Sequence, residues 1–209
     1  VEPSRLNEID SMPDISAHYR SVRDWGHFQI AGIVRQIEWV DVAPGPGLVD
    51  LSGDEMGYGI NLSSNIKIGD HVLKLQVVYG EGIQNYMNDA PADIGIRNNF
   101  ADPVQPILGE ALPMIGVVAF MDMNWSPKWT STFGFSFLDI DNSDGQAPSA
   151  FKKGQYALAN LLYHPTPKIY MGPEIQWGDR ENFSDGFSSD DLRIQFSARY
   201  DFSGSLGGN

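Results

Sequence analysis

The 209 residues contain no cysteine, so neither a disulfide framework nor a thiolate metal site can be built from them. Long apolar runs are missing as well. The longest, 112–121, is about half of the roughly 20 residues that a transmembrane helix needs. That excludes helical spanning, but not a barrel, whose lipid face takes only every second residue. Basic residues are scarce: 14 Lys and Arg stand against 27 Asp and Glu, a net charge of −13. Phosphate backbones require clustered Lys and Arg, so nucleic acid is excluded as a partner. Histidine occurs only at His18, His27, His71 and His164, without the close spacing of a metal motif. Neither a Gly-x-Ser-x-Gly elbow nor a phosphate-cradling loop is present. Asp139-Ile140-Asp141-Asn142-Ser143-Asp144-Gly145 imitates a calcium loop, but its Gly comes one position late and Ala150 stands where a bidentate Glu is required. No catalytic residues, metal ligands or cofactor are expected, and the chain does not read as an enzyme.

What the chain has is alternation. In 192–202, Leu192, Ile194, Phe196, Ala198, Tyr200 and Phe202 fall on one strand face. Arg193, Gln195, Ser197, Arg199 and Asp201 fall on the other, because successive strand side chains point to opposite sides. The pattern recurs in segments at 14–22, 26–40, 56–67, 71–80, 113–124, 129–140, 153–163, 168–178 and 191–202. Their connections alternate in length. The short ones are 23–25, 68–70, 126–128 and 164–167; the long ones are 41–55, 81–112, 141–152 and 179–190. Short turns at one end and long loops at the other organise an outer-membrane β-barrel. A soluble β-sandwich could share the period with its apolar face inward, but it has no reason to sort its loops by length.

The expected fold is therefore all-β: an antiparallel transmembrane β-barrel. Bacterial barrels close with an even number of strands, and about nine are found here. The chain starts at Val1 without a signal peptide. It reads as a fragment, 1–209 forming the C-terminal portion of one barrel domain whose missing N-terminal part supplies an odd number of strands.

Alternation also assigns faces. Ile15, Ala17 and Tyr19 would meet lipid, with Ser16, His18 and Arg20 in the lumen. Phe28, Ile30, Gly32 and Val34 would face out, and His27, Gln29 and Arg35 in. Ile37 and Trp39 break this parity, which predicts a bulge. Leu73, Leu75, Val77 and Tyr79 oppose Lys74 and Gln76, while Phe133, Phe135 and Phe137 oppose Thr132, Gly134 and Ser136. Trp25, Trp125, Trp129, Tyr163 and Phe202 lie beside the short turns, and Trp39 and Trp177 at the opposite strand ends. Such aromatics make the two interfacial girdles of a membrane barrel.

Although the chain is acidic, its assigned lumen positions lean basic. Arg20, Arg35, Lys74, Arg193 and Arg199, with His18, are the candidate pore-lining residues, against Asp122, Glu174 and Asp201. Rings of Arg or Lys favour anions, and guanidinium forks match carboxylates bidentately. The alternative is that these cations balance wall carboxylates on neighbouring strands. The loop 81–112 carries Pro91, Pro103 and Pro106 with Ile94, Ile96, Phe100, Val104 and Ile107. So apolar a loop is expected to fold into the barrel mouth or to latch onto a neighbouring subunit.

The opening Met12-Pro13-Asp14-Ile15-Ser16-Ala17-His18-Tyr19-Arg20, with Asp24-Trp25-Gly26-His27-Phe28-Gln29-Ile30-Ala31-Gly32-Ile33-Val34-Arg35, resembles the DcaP-like family of outer-membrane porins. In that family a Met/Val-Pro-Asp strand opening precedes Asp-Trp-Gly-His and a strand ending in Arg. The closing strand 192–202 is also similar to the family's last, and 203–209 extends past the family's usual terminal aromatic. The resemblance implies a homotrimer of about sixteen strands per subunit. Such a trimer would sit among membrane lipid and lipopolysaccharide in the outer membrane of a Gram-negative bacterium. It would pass small anionic solutes such as dicarboxylates by diffusion, Arg20 and Arg35 matching the family's basic strand positions. Two other functions fit the alternation alone: a barrel enzyme or adhesin working through its long loops, and a soluble β-sandwich binding module.

Overall fold

The computed structural model describes residues 6–9, 12–42, 49–87 and 92–203; the tail 204–209, Asp89 and Pro91 lie outside them. Among the described residues there are thirteen strands. They are β1 (Leu6–Ile9), β2 (Ile15–Arg23), β3 (Gly26–Asp41), β4 (Gly53–Ile68), β5 (His71–Glu81), β6 (Ile94–Asn98), β7 (Ile107–Ala111), β8 (Pro113–Ser126), β9 (Trp129–Ile140), β10 (Phe151–Asn160), β11 (Leu162–Thr166), β12 (Ile169–Asn182) and β13 (Ser188–Tyr200). One eleven-stranded sheet holds all but β6 and β7, which form a separate hairpin. Every pairing is antiparallel.

The nine alternating segments all appear as neighbours in chain order, with β10 and β11 together making the seventh. Leu161 drops out of the ladder between them. The wall stays joined there because Gly172 on β12 has no side chain: a Cβ would stand 1.9 Å from the Leu161 carbonyl oxygen. β1 runs beside the upper part of β3, above β2, an addition that four residues of mixed character do not announce. Among the described residues β2 and β13 are the outer edges, and no pairing joins them. Both run toward the short-turn end.

Among the described residues the only other sheet is the two-stranded β6–β7 hairpin, too small to be the second layer of a sandwich. The apolar face is bare from edge to edge: Tyr19, Val34, Ile60, Phe133, Ile194 and Phe196 are all exposed, the last two at 73% and 67%. Water-soluble monomers seldom expose contiguous apolar patches beyond a few hundred Å².

Two expectations need correcting. The loop at 179–190 is only 183–187, because β12 and β13 pair on to Glu181 and Ser188. Charged side chains do not oppose strand pairing once the hairpin is closed, and Asp179, Arg180, Asp190 and Asp191 simply decorate both faces of its end. The bulge in β3 is also absent, since β3 and β4 pair without a shift from Gly26↔Ile66 to Trp39↔Gly53. Ile37 and Trp39 keep the parity of Arg35 and are apolar for another reason. Residues 82–87 and 92–112 fold back over that face of the sheet and cover them. Trp39 therefore leaves the expected girdle: its ring fills the space over Gly53 and Gly109, and its Nε1 donates to the Leu51 carbonyl at 2.7 Å.

The densest core lies under this fold-back. Ile83 and Leu112, at the two ends of the segment, pack with Val78, Met114 and Ile140 of the sheet, and all five are buried. Full burial of such side chains stabilises by roughly 1.5–3 kcal/mol each. A short 3₁₀ turn at Gln84–Tyr86 and the β6–β7 hairpin extend from this base. Gln84 is wholly buried there and donates to the Leu112 carbonyl at 2.8 Å.

Candidate functional site

Residues directly opposite on paired strands share a face, so the register settles which side chains lie together. One row runs His27, Asn65, Lys74, Phe120, Gly134, Leu158, Gln176, Arg193 from β3 to β13. The adjacent row on the same face runs Arg20, Gln29, Ser63, Gln76, Val118, Ser136, Tyr156, Gly178, Asp191. His18 and Arg35 continue this face on β2 and β3, and Arg199 on β13 beside Tyr170. All six sequence-derived candidates thus occupy the face opposite the bare apolar one.

They are not equivalent. Arg35 is buried, at 6% exposure, under the fold-back segment. Its Nη1 donates to Asp93 Oδ2 at 2.7 Å and to Asn85 Oδ1 at 2.8 Å, and reaches the Gly82 carbonyl at 3.4 Å. Its Nε lies 3.3 Å from Asp14 and its Nη2 3.9 Å from Glu8, while the Tyr86 ring sits 5.6 Å below the guanidinium. One cation enclosed by three carboxylates offers nothing to a passing anion. Arg35 is a tie between the wall and the segment 82–112, and its expected place as an open wall charge is corrected accordingly. Beside it the Tyr86 hydroxyl donates to Asp14, which raises the Tyr86 pKa above its ordinary value.

Lys74 is matched as well, its Nζ 2.5 Å from Asp122. From Asp122 a hydrogen-bonded band crosses the sheet. Thr132 Oγ1 donates to Asp122 at 3.0 Å, and the Thr132 amide donates to Asn160 at 2.8 Å. Three carboxamides then converge on Glu174: Asn160 at 3.2 Å, Gln176 at 2.5 Å and Gln195 at 2.6 Å. Because amide N–H groups satisfy Glu174, Arg193 is not consumed by it. Arg193, Arg20 and His18 make no ion pair within 4 Å among the described residues. Arg199 pairs with Asp201 at 2.7 Å and lies over the Tyr170 ring at 5.8 Å.

Sequence reasoning missed Arg180, having assigned it to a loop. It lies on the same face, opposite Gly154 and Ser189, with its guanidinium 5.6 Å from the Phe151 ring. The signal was available: Glu174, Gln176, Gly178 and Arg180 continue one alternation without a break. In the turn above, the Asn182 amide and the Phe187 N–H both donate to Asp185 and hold its carboxyl below the usual range. A cavity of about 440 Å³ opens between Trp39 and the β6–β7 hairpin, at the edge of the Arg35 tie.

No family model matches the chain, and no curated protein matches it closely. Among solved structures, the outer membrane channel DcaP of Acinetobacter baumannii superposes with a TM-score of 0.74 at 21% identity, over 96% of this chain and 55% of that one. The NanC porin superposes at 0.42 and 12% identity, over 90% of this chain and 99% of that one. The chain has the fold of the DcaP channel wall and spans 55% of that protein's length.

Proposed function

We propose that this chain is the C-terminal portion of a single transmembrane β-barrel and forms a little over half of the wall of an outer-membrane porin. In this reading the bare apolar face meets lipid and lipopolysaccharide in a Gram-negative outer membrane, and the opposite face lines a water-filled lumen. The observation that carries it is the segregation of faces, which the register keeps unbroken across nine consecutive strands. The free edges agree: β2 and β13 run in the same direction, so antiparallel closure needs an odd number of further strands. Passive diffusion needs no catalytic group, and none is invoked.

Small anionic solutes, dicarboxylates among them, are the proposed cargo. Among the described residues Arg20 and Arg193 make no ion pair within 4 Å on the face read as the lumen, with His18 beside Arg20 and Arg199 farther down β13. Lys74 and Arg35 contribute less, because carboxylates already match them. Fixed cations lower the barrier for anions in a confined pore. A homotrimer is part of the proposal, drawn from the resemblance at 12–35. The test is planar-bilayer recording of the intact protein under a salt gradient. A reversal potential displaced toward that of the anion is expected, with succinate passing faster than neutral solutes of equal size. Absence of any conductance by folded protein would overturn the porin reading.

A further inference from the structure

On the arginine-bearing face, glycines make room for a neighbour. A Cβ on Gly53 would stand 2.7 Å from the Trp39 ring, on Gly59 2.5 Å from Ile83 and on Gly116 2.8 Å from Val78. On Gly134 it would stand 2.2 Å from the Phe120 ring, and on Gly154 3.1 Å from Phe151. Gly178 differs. Among the described residues a Cβ there would meet only the Gln155 carbonyl oxygen, 3.9 Å away. The backbone does not require this glycine either. It lies inside β12, opposite Tyr156 on one side and Asp191 on the other, with no register shift at either pair and without a positive φ. Glycine weakens a strand interior; where no bulge or bend explains it, it marks the close approach of a ligand or of another backbone.

The surroundings of the gap say what fits it. Tyr156 and Asp191 flank Gly178 two strands apart, about 10 Å at the usual strand spacing. That leaves room for one six-membered ring over the glycine. Gln176 and Arg193 stand in the next row toward the short turns, and Arg180 and Ser189 in the row on the other side. Arg180 is drawn aside to the Phe151 ring at 5.6 Å. The charges acting on the Tyr156 hydroxyl are those of Glu174 and Arg193, so its ring leans to the short-turn side and borders the gap without filling it. Asp191 and Arg193 make no ion pair within 4 Å among the described residues. A carboxylate in the gap would be repelled by Asp191, and an ammonium by Arg193. A hydroxyl both donates and accepts, so two neighbouring hydroxyls satisfy carboxylate and guanidinium together. The Tyr156 ring offers an apolar flank for the C–H face of a sugar.

We propose that the gap over Gly178, bounded by Tyr156, Asp191 and Arg193, is a subsite for neutral sugars in the pyranose form. The sugar ring lies over the glycine and places adjacent hydroxyls on Asp191 and Arg193. This rests on the porin reading, because only a lumen would bring a solute to this face.

The test records potassium chloride conductance of the intact protein in planar bilayers while glucose is added. Triethylene glycol, a neutral solute of similar size without adjacent hydroxyls, is the control at matched viscosity. Glucose should lower the conductance saturably, and triethylene glycol only as far as viscosity does. Each variant is read as the fraction of its own conductance that glucose removes. Asp191→Asn keeps the shape and loses the charge. It should raise the half-blocking glucose concentration about three- to tenfold, the difference between charged and neutral hydrogen bonds. Gly178→Val fills the gap with a side chain that strands favour, and should abolish the block while keeping the heat-modifiable folded band on gels. Loss of that band would give the glycine a structural role and overturn the proposal. Glucose acting no differently from triethylene glycol, or a block unchanged in both variants, would overturn the subsite and leave the porin standing. No conductance in the wild type would instead overturn the porin reading itself.

Discussion

Arg35 and Asp93 lie 58 residues apart in sequence and meet at 2.7 Å, where the segment 82–112 crosses the wall. The contact joins an element that alternation reveals to one that it does not. Around it, Asn85, Asp14, Glu8 and the Tyr86 ring close on the same guanidinium, so the segment is held by charge at one point and by Ile83 and Leu112 at its base.

Removing the cation should free the segment without unfolding the barrel. Arg35→Ala leaves Asp93, Asp14 and Glu8 facing one another with no counter-charge. Breaking a fully buried pair costs about 3–5 kcal/mol; Asp14 and Glu8 are partly exposed, which reduces this to about 1–3 kcal/mol. The expected outcome is proteolytic nicking between 92 and 106 in detergent-solubilised protein, while the wall strands resist. A segment as resistant as in the wild type would show that the apolar base and the hydrogen bonds of β6 to Ser143, Asp144 and Gly145 hold it without the Arg35 tie.

Selectivity should follow the unpaired cations. Arg20→Gln combined with Arg193→Gln is expected to move the reversal potential in a salt gradient toward zero, and Lys74→Gln much less, since Asp122 already matches Lys74 at 2.5 Å. The difference should shrink at high salt, because screening shortens the reach of each remaining charge to about 8 Å at physiological strength and less above it. Equal effects from Lys74 and Arg193 would contradict the pairing seen here.

The two faces should tolerate charge differently. Ile60→Arg and Phe135→Arg put a cation on the apolar face and are expected to cost about 2–4 kcal/mol at the bilayer midplane, seen as loss of the heat-modifiable folded band. Ser63→Arg, one strand position from Leu62 but on the opposite face, should fold normally. If Ser63→Arg failed and Ile60→Arg folded, the faces would have to be exchanged.

The β12–β13 turn should depend on pH through Asp185. Its folded pKa lies below that of an ordinary Asp, so the stabilisation is present above the unfolded value of about 3.9 and is lost as pH falls through the lower folded one. The protection factor of the Phe187 amide, which donates to Asp185 at 2.8 Å, should be steady from neutral pH down to about 4 and fall below it. Asp185→Asn should flatten that response.

The period-two pattern determined nine wall segments, their order and the face of nearly every residue in them, but not β1 or the β6–β7 hairpin, because side-chain direction alternates strictly along a strand and antiparallel register carries one strand's parity to the next. His18, Arg20, Lys74, Arg193 and Arg199 share one face of the sheet, as alternation groups them. Which of those cations stay free was not legible. It depends on carboxylates and carboxamides that pairing brings alongside from other strands, as Asp122 comes to Lys74, and Asn160, Gln176 and Gln195 come to Glu174. The parity break at Ile37 and Trp39 was legible as an anomaly but not in its cause. A bulge and a cover produce the same run of residues, and only the return of 82–112 over that face distinguishes them. Alternation is a local property of the backbone; the neutralisation of Arg35 by Asp93 joins segments 58 residues apart, and it exists only once the sheet has formed.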